Sequence, residues 1–544
     1  MIKQYILDLR HEFAGYNAKK LSQDLMAGIT VAAVALPLAL AFGVSSGLTA
    51  ASGLITAIVA GMIISIFSGA SYQISGPTGA MGAILGGLVL SYGEQGVFIA
   101  TLLAGIILVI AGIFKLGRLV TFIPSPVITG FTSGIAIIIA LGQIDNFFGT
   151  TSEGASAIAK LASYAYLGFS PNMYAVLFGA LVMVIMIVWP KKWNQKIPSS
   201  LVGIIVSLVI SMFIKADYAV VGEIPRSLMT DSRLEVGALS VDAFKDLISP
   251  AFAIAALGMI ESLLCGASAG KMKGEKLNAD RELVAQGIGN MIVPFCGGVP
   301  ATAAIARTSV AIKSGAQTRL TGIFHAVGLL LSMFLLAGIM KNIPLSALAG
   351  VLMITAWRMN DWEDIKFIFK RKLKMPIAQF LITMIATVVF DLTTAILIGV
   401  GFSILAFIVK ASDIQINMAD IEEDRLNINI NYHHNKTKVV YITGPIFFTT
   451  VQDIEALTEK LVGLDYVIFS MRGVPLIDLT GLKAISDLAD ALKASGTHVM
   501  FAGVQEKVKN NMARFGIDEN IGGEQFFWSV EDTLVHIDKE ELSA

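Results

Sequence analysis

Two short stretches, SGPTGAMGAILG at residues 75–86 and GGVPATAAIARTSVAIK at residues 297–313, decide how the rest of this sequence is interpreted. Each contains glycine and proline near its start, which break a helix, and continues into small residues that fit a helix of only a few turns. Both lie among long apolar segments, and neither is long enough to cross a membrane alone. Irregular backbone inside a bilayer persists only where it is buried in protein or lines a wet cavity. We therefore interpret both stretches as parts of a binding site.

The composition indicates a protein with many membrane spans. Its 544 residues are 55% hydrophobic and 15% charged, with a mean hydropathy of +0.72. The apolar runs are too long for a soluble core. The net charge of −1 averages a membrane part with a polar tail, so it excludes no class of partner. Cys265 falls in a predicted span and Cys296 directly follows another, which argues against a disulfide framework.

Fourteen membrane segments are predicted from the apolar runs. They cover residues 24–44, 48–68, 77–91, 96–114, 124–143, 173–189, 198–214, 250–270, 282–295, 301–313, 321–340, 343–357, 375–390 and 392–410. The first twenty residues lack the apolar core of a cleavable signal peptide, so the amino terminus is expected in the cytoplasm. With that start, the main Lys and Arg clusters fall in cytoplasmic loops, as membrane proteins prefer. The even count returns the chain to the cytoplasm.

The two broken stretches fall in the third and tenth segments, which lie seven segments apart. An odd separation gives two seven-span halves of opposite orientation, the arrangement of inverted repeats that share a site near the midplane. Chance similarity between two helices rich in Gly and Ala is the alternative. The predicted divisions are an amino-terminal lead-in, a first repeat, an extracytoplasmic loop, a second repeat, a linker and a carboxyl-terminal domain. Their bounds are 1–23, 24–216, 217–249, 250–410, 411–435 and 436–544.

Beyond residue 435 the pattern changes to strands that alternate with helices. VVYITGPIFF, DYVIFSMRG and HVMFAGV have strand character, and amphipathic helical runs separate them. Such alternation predicts a small α/β domain. We expect this domain in the cytoplasm.

The broken stretches carry groups that suit an anion. Ser75, Thr78 and Thr302 offer hydroxyls, and the helices that begin near Pro77 and Ala301 offer free backbone N–H groups at the positive end of a helix dipole. Small residues would let an anion approach the backbone closely; they are Gly76, Gly79, Ala80, Ala301, Ala303 and Ala304. The alternative is that these small residues only permit tight helix packing.

Two ionisable residues lie deep within predicted spans. Glu261 is in the middle of AFAIAALGMIESLLCGASA, and Arg307 lies about two turns into the tenth segment. Charges at such depth are costly and mark a functional site or a paired charge. Arg307 would add to the positive field at the anion site, whereas Glu261 would carry a proton or coordinate a cation. The alternative is an ion pair between them that only holds two helices together. Phe42 of the first span is a candidate lining residue, although packing is the usual role of such an aromatic.

These motifs together resemble the SulP family of anion transporters. The resemblance rests on LPLALAFG, QISGPTGAM, the IESLL span and GGVPATAAIARTSVAIKSGAQT, and it covers nearly the whole chain. It implies a polytopic α-helical membrane protein with fourteen spans in two inverted repeats, divided into core and gate domains. It also implies a dimer, an anion bound between the third and tenth segments, and elevator-like movement of core against gate.

The family's functional residues transfer to matching positions here. Substrate would be bound by Ser75, Pro77, Thr78, Gly79, Ala301, Thr302, Ala303, Ala304 and Arg307, with Phe42 beside them. Glu261 matches a carboxylate that members use for cation coupling. The sodium-dependent bicarbonate carriers have Asp at that position and a hydroxyl residue where this chain has Cys265. Because a thiol is a poor sodium ligand, the sequence favours proton coupling.

The carboxyl-terminal domain resembles the STAS domain that ends most members of this family. The matching motif is IDLTGL at residues 477–482, where related bacterial regulators carry a phosphorylated Ser or Thr at the start of a helix. Thr480 is therefore a candidate phosphosite, since a helix N-terminus favours a phosphate. In transporters this domain more often serves assembly or trafficking, which leaves a role in binding a cytoplasmic protein partner open.

Four functions are consistent with the sequence. The favoured one is proton-coupled symport of small anions of the sulfate, bicarbonate or dicarboxylate class across a bacterial cytoplasmic membrane, by a homodimer. The alternatives are an anion exchanger without cation coupling, a sodium-coupled bicarbonate symporter, and an anion receptor that signals through the STAS-like domain. No enzymatic activity, cofactor, metal or nucleic-acid partner is expected.

Overall fold

The computed structural model describes residues 2–118, 123–154, 157–190, 193, 197–214, 216–390, 392–421 and 436–543. The chain divides into two compact units, Met1–Phe402 and Ser403–Ala544, and each is described by itself.

The first unit is helical. Its helices up to the long central loop are α1 Ile2–Glu12, α2 Ala18–Ser45, α3 Ala50–Phe67, α4 Gly79–Ile113, α5 Ser125–Gly142, α6 Ile144–Phe148, α7 Ala157–Leu167, α8 Met173–Val188 and α9 Ser199–Ser211. Those after the loop are α10 Val241–Lys273, α11 Ala279–Ile292, α12 Ile305–Lys313, α13 Leu320–Met340, α14 Leu345–Met359, α15 Trp362–Lys370, α16 Lys374–Val389 and α17 Leu392–Ala411, whose last turns belong to the second unit.

Each predicted membrane segment coincides with one of these helices. The predicted third and fourth segments are the two halves of α4, which is interrupted at Gly93, where φ is 67°. Within the described residues, six helices are long and apolar enough to cross a membrane, and five more are apolar but shorter. The chain is therefore a helical membrane protein, while the number of crossings stays a prediction.

The helices pack in two groups. In the first, which we call the core group, α4 packs against α10 and α11, and α13 packs against α2 and α3. In the second, the gate group, α5 packs against α16, and α8 packs against α9 and α14. Small residues allow these close contacts: a Cβ added at Gly350 of α14 would lie 2.6 Å from the carbonyl oxygen of Gly179 in α8.

The two helix-breaking stretches meet as a pair of short strands. Strand β1, Ser75–Gly76, pairs antiparallel with β2, Thr302–Ala303, and Ser75 lies opposite Ala303. Glycine and proline keep both stretches extended, so each strand ends shortly before a helix begins. Helix α4 starts at Gly79 and α12 starts at Ile305. The sequence interpretation, in which these two stretches adjoin, is thus confirmed for the backbone.

Helix α1 is held against the core group by two ion pairs, of which the Glu12–Arg319 pair is buried. Glu12 accepts two hydrogen bonds from the Arg319 guanidinium, from Nε at 2.9 Å and from Nη2 at 2.7 Å. Arg281 pairs with Asp8, and the Tyr5 ring lies 5.5 Å from the guanidinium carbons of both arginines. Cation–π contact and charge pairing act together at this end of the core group.

The second unit is an α/β domain with one five-stranded sheet. Its strands follow the order β3-β4-β5-β6-β7; β3 and β4 are antiparallel and the others parallel. They are β3 Gln415–Asp420, β4 Thr437–Thr443, β5 Tyr466–Gly473, β6 His498–Ala502 and β7 Phe526–Phe527. The helices are α18 Val451–Glu455, α19 Thr458–Leu461, α20 Leu479–Ala494, α21 Glu506–Phe515, α22 Ile517–Ile521 and α23 Val530–Ser543. Strand β3 lies inside the segment interpreted as a linker, whose residues 422–435 lie outside the described part.

The candidate phosphosite lies at the start of α20. Thr480 is exposed in the first turn of this helix. The N-cap is Asp478, whose carboxylate accepts the N–H of Gly481 at 2.7 Å and that of Phe448 at 3.2 Å. The carboxylate already occupies the anion position at this helix N-terminus. Phosphorylation of Thr480 stays a prediction.

Candidate anion site

A cavity of about 320 Å³ opens where α4 and α12 begin. Its core-group wall comes from α2, α4, α10 and α12, and its gate-group wall comes from α5 and α14. The lining residues are Leu38, Phe42, Thr78, Gly79, Ala80, Phe131, Thr132, Ile135, Ile139, Ile260, Glu261, Leu264, Ala303, Ala304, Ile305, Ala306, Arg307, Leu352, Thr355, Ala356, Arg358 and Met359.

Most of the predicted site residues lie on the core-group wall. These are Phe42, Thr78, Gly79, Glu261, Ala303, Ala304 and Arg307. The first-turn N–H groups of α4 and α12 have no acceptor within their own helix. The N-cap of α12 is Ala304, which offers no side-chain cap. The helix starts beside this cavity therefore leave first-turn N–H groups uncapped, apart from that of Met81, which donates to Thr78 Oγ1.

Arg307 is the most deeply buried charge at this cavity, with 1% of its surface exposed. Its Nη2 donates to the carbonyl oxygen of Pro77, and its Nη1 has no hydrogen-bond partner in the described structure. No ion pair joins Arg307 to Glu261 among the described residues. A buried guanidinium with a spare donor beside a cavity is suited to a ligand that accepts hydrogen bonds and carries negative charge.

Gly76 makes room for that guanidinium. A Cβ at this position would lie 2.4 Å from Arg307 Nη1 and 3.3 Å from the Cα of Ala57. Any larger residue would displace the guanidinium or the strand. The glycine in the first broken stretch is therefore needed for the position of the arginine in the second.

Glu261 contacts the first stretch through a hydroxyl. Its Oε2 accepts a hydrogen bond from Thr78 Oγ1 at 2.9 Å, and both residues line the cavity. Thr78 is also the N-cap of α4. The carboxylate of α10 is thereby connected to the start of the helix that faces the cavity.

The other predicted site residues lie behind the cavity. Ser75 accepts a hydrogen bond from Gln286 at 2.9 Å, and Thr302 shares one with Ser262 at 2.8 Å. Cys265 Sγ lies 3.4 Å from Thr308 Oγ1, away from the cavity. Pro77 and Ala301 are also absent from the cavity lining, and they contribute backbone carbonyl or amide contacts instead. These side chains hold β1 and β2 in position.

Sequence reasoning missed a second arginine at this cavity. Arg358 lies at the end of α14, on the gate-group wall, and donates to the carbonyl oxygen of Met186. It follows Trp357, and an aromatic and basic cluster at a span end is typical of a membrane interface. The hydroxyls of Thr132 and Thr355 were missed because single threonines in apolar helices give no signal.

Two further polar features of the core group lie outside the predicted site. The imidazole of His325 is fully buried, and neither of its nitrogens has a partner in the described structure. Glu282, Gln286 and Asn290 recur every four residues along α11 and are all buried. Counting polar residues at helical spacing would have found this second pattern.

No metal centre is present in the described part of the chain, where no three His, Cys, Asp or Glu side chains are grouped in a way that could hold an ion.

Comparison with protein families gives two matches. Residues 21–386 match the model of the sulfate permease family, and residues 428–533 match that of the STAS domain. The first match covers most of the helical unit.

Several relatives align along nearly the whole chain. The protein YvdB of Bacillus subtilis is 34% identical over 532 residues, which are 95% of this chain and 97% of YvdB. The bicarbonate transporter BicA of Picosynechococcus is 27% identical and covers 94% of both chains. Sulfate transporter 4.1 of Arabidopsis thaliana is 29% identical over 94% of this chain and 79% of its own length.

Solved structures show the same fold. The transmembrane domain of a cyanobacterial BicA superposes with a TM-score of 0.65 at 30% identity, over 70% of this chain and 98% of that domain. SLC26A9 superposes with a TM-score of 0.81 at 18% identity, over 98% of this chain and 92% of its own. The second likeness extends over both units.

Proposed function

Because this chain belongs to the sulfate permease family, we propose that it carries small anions of the sulfate, bicarbonate or dicarboxylate class across a membrane. The proposed binding site is the cavity at the starts of α4 and α12. Relatives named as sulfate and bicarbonate transporters support this substrate class. Backbone N–H groups and hydroxyls accept all of these anions.

The observation that carries the proposal is the unpaired guanidinium of Arg307. A buried donor without a hydrogen-bond partner is costly unless a ligand accepts a hydrogen bond from it. Nη1 is without a partner, and Arg307 lines the cavity next to the helix starts. An anion there would receive one charge-assisted hydrogen bond and several backbone donors.

We propose that Glu261 couples transport to protons. Its carboxylate contacts Thr78, so its protonation state affects the N-cap of α4 directly. A carboxylate that lines the anion cavity is placed to take up a proton together with an anion. Cys265 bonds to Thr308 outside the cavity, and its thiol offers no oxygen ligand for a sodium ion beside Glu261.

We propose an elevator-like movement of the core group against the gate group. The charged and hydroxyl groups Thr78, Glu261 and Arg307 all belong to the core group, while α5 contributes mainly apolar residues. The α5 part of the gate-group wall is mainly apolar, so the core group can slide past it with few fixed polar contacts to break; the polar groups on the gate-group wall are Thr132, Thr355 and Arg358. The proposed setting is a homodimer in a bacterial cytoplasmic membrane with both termini in the cytoplasm, and bacterial relatives support the setting.

The test is anion uptake by purified full-length protein in liposomes. Radiolabelled sulfate, bicarbonate and succinate would be offered with imposed pH or sodium gradients. We expect saturable uptake that an inward proton gradient drives. Arg307→Gln should raise the KM about tenfold or more, since it removes charge-assisted hydrogen bonds. Glu261→Gln should abolish gradient-driven uptake and leave anion exchange.

The controls separate the alternatives. Arg226→Gln, at an exposed arginine of the loop after α9, should leave the KM unchanged. Uptake that needs sodium, or exchange alone in the unmodified protein, would overturn the proton role. Anion binding without any flux would instead support a receptor.

A further inference from the structure

Helix α11 carries three buried polar side chains on one face. Glu282, Gln286 and Asn290 are spaced one helical turn apart, and each has at most 1% of its surface exposed. We call these three residues the polar ladder. Burying a polar group this deeply in a membrane protein costs free energy unless the group is hydrogen-bonded or has a function.

The first two members of the ladder hold the approach to β1. Glu282 Oε2 accepts hydrogen bonds from the hydroxyl of Ser68 at 2.6 Å and from the N–H of Gly69 at 2.9 Å. Gln286 Nε2 donates to Ser75 Oγ at 2.9 Å and to Glu282 Oε1 at 2.8 Å. The ladder is therefore fastened both to the chain before β1 and to β1 itself.

The third member holds the approach to β2. Asn290 Oδ1 accepts the N–H of Ala301 at 2.8 Å, and its Nδ2 donates to the carbonyl oxygen of Ala301 at 2.9 Å. This amide pairs with both backbone groups of one residue, next to Thr302 of β2. One helix face thus fixes both broken stretches.

Helix α11 is itself tightly held. A Cβ on Gly287 would lie 2.6 Å from the carbonyl oxygen of Gly105 in α4, and a Cβ on Gly289 would lie 2.5 Å from Ile64 in α3. Packing this close leaves little freedom for the helix to rotate or slide. The ladder is consequently a rigid reference for the position of the strands.

We propose that Gln286 and Asn290 are positioning residues that set anion affinity by fixing β1 against β2. No member of the ladder lines the cavity, so none is expected to touch the anion. The effect passes through the backbone, because Arg307 is anchored on the carbonyl oxygen of Pro77, two residues after Ser75. This inference rests on the proposed anion site. It assigns to α11 a role in transport that a purely stabilising network would not have.

A double-mutant cycle between Gln286 and Ser75 tests the proposal. Ser75→Ala removes the hydrogen bond between Ser75 and Gln286, and Gln286→Leu removes that bond together with the one to Glu282. We expect each to raise the KM for radiolabelled sulfate, or for bicarbonate if sulfate is not carried, about tenfold, with a smaller change in kcat. The double variant should be no worse than Gln286→Leu alone within about twofold, since Ser75→Ala then removes no further interaction. Ser75→Thr keeps the hydroxyl and should restore the KM.

Matched controls distinguish positioning from general destabilisation. Thr101 is fully buried in α4, and its hydroxyl bonds only to the carbonyl oxygen of Val97, so Thr101→Val should leave the KM unchanged. Thermal midpoints in detergent would be compared for all variants. If Gln286→Leu does not fold, the contrast between Ser75→Ala and Ser75→Thr decides the matter.

Two results would overturn the proposal. One is a multiplicative, about hundredfold rise in KM for the double variant, which would mean that the two residues act independently. The other is an unchanged KM in both single variants. If Arg307→Gln raises the KM while these variants do not, the anion site stands and only the positioning role fails.

Discussion

The guanidinium of Arg307 is the main feature of the candidate site, because its Nη1 has no hydrogen-bond partner in the described structure. Arg307 Nη2 donates to the carbonyl oxygen of Pro77, and the carboxylate of Glu261 accepts from Thr78. A protein retains such an arrangement at a cost in stability, and functional sites are where that cost is usual. The space for Nη1 depends on the missing side chain of Gly76.

Gly76→Ala should therefore weaken anion binding without removing any polar group. The added methyl would meet Arg307 Nη1 at 2.4 Å, so the buried guanidinium must shift away from its present position. We expect the KM for the transported anion to rise about tenfold, the loss expected for one charge-assisted hydrogen bond. The measurement is uptake in liposomes. Gly86→Ala in α4, where the nearest atom is 3.8 Å away, is the control, and an equal effect of both would contradict the steric explanation.

The short amino-terminal helix α1 contributes to the packing of the core group. In the fold it supplies carboxylates to Arg281 and Arg319, which also bind the carbonyl oxygens of Ser68 and Ile66 at the end of α3. The side chains of the Glu12–Arg319 pair are only 9% and 5% exposed. The helix is thus a clasp across α3, α11 and α13.

Tyr16 adds a neutral contact to this clasp. Its hydroxyl donates to Asp24 at 2.8 Å, and burial, together with that carboxylate, raises the pKa of Tyr16 to about 12. The phenol stays protonated, and remains a hydrogen-bond donor, throughout the physiological range.

Glu12→Ala should destabilise the helical unit strongly. It leaves the buried guanidinium of Arg319 without its bidentate partner, which costs about 3 kcal/mol or more in comparable buried pairs. Thermal or denaturant unfolding in detergent measures the loss. Glu223→Ala breaks an ion pair between Glu223 and Lys341. The side chains of these two residues are 84% and 41% exposed, so the loss in the free energy of unfolding should be no more than about 1 kcal/mol. Equal losses in both variants would contradict a clasp.

The predicted membrane topology depends on which helices cross the bilayer. Helices α8 and α9 have 16 and 13 residues. At about 1.5 Å per residue they fall short of a hydrocarbon core of about 30 Å. Short helices of this kind cross only where neighbouring protein shields their ends. The predicted topology therefore needs its own test.

Surface labelling provides that test. In a Cys296→Ala background, Ser227→Cys in the central loop and Lys370→Cys in α15 are both exposed positions, whereas Cys265 is fully buried. The prediction has five crossings between them, so they should lie on opposite sides of the membrane. We expect an impermeant maleimide to label Ser227→Cys in intact cells and Lys370→Cys only after lysis. Labelling of both in intact cells would refute the predicted count.

The local pattern of this sequence determined the elements, and tertiary packing determined the site. Apolar runs, Gly-Pro breaks and strand–helix alternation are short-range signals, so the helices, both broken stretches, the α/β domain, Glu261 and Arg307 were all predictable. The amide partners of Ser75 and Ala301 were not, because Gln286 and Asn290 meet them only after α11 packs across both stretches. Nor was Arg358, which reaches the cavity from the opposite helix group. The packing of separate helices decides which side chains face a cavity. Spacing along the sequence does not give that packing, because the residues that meet are far apart in the chain.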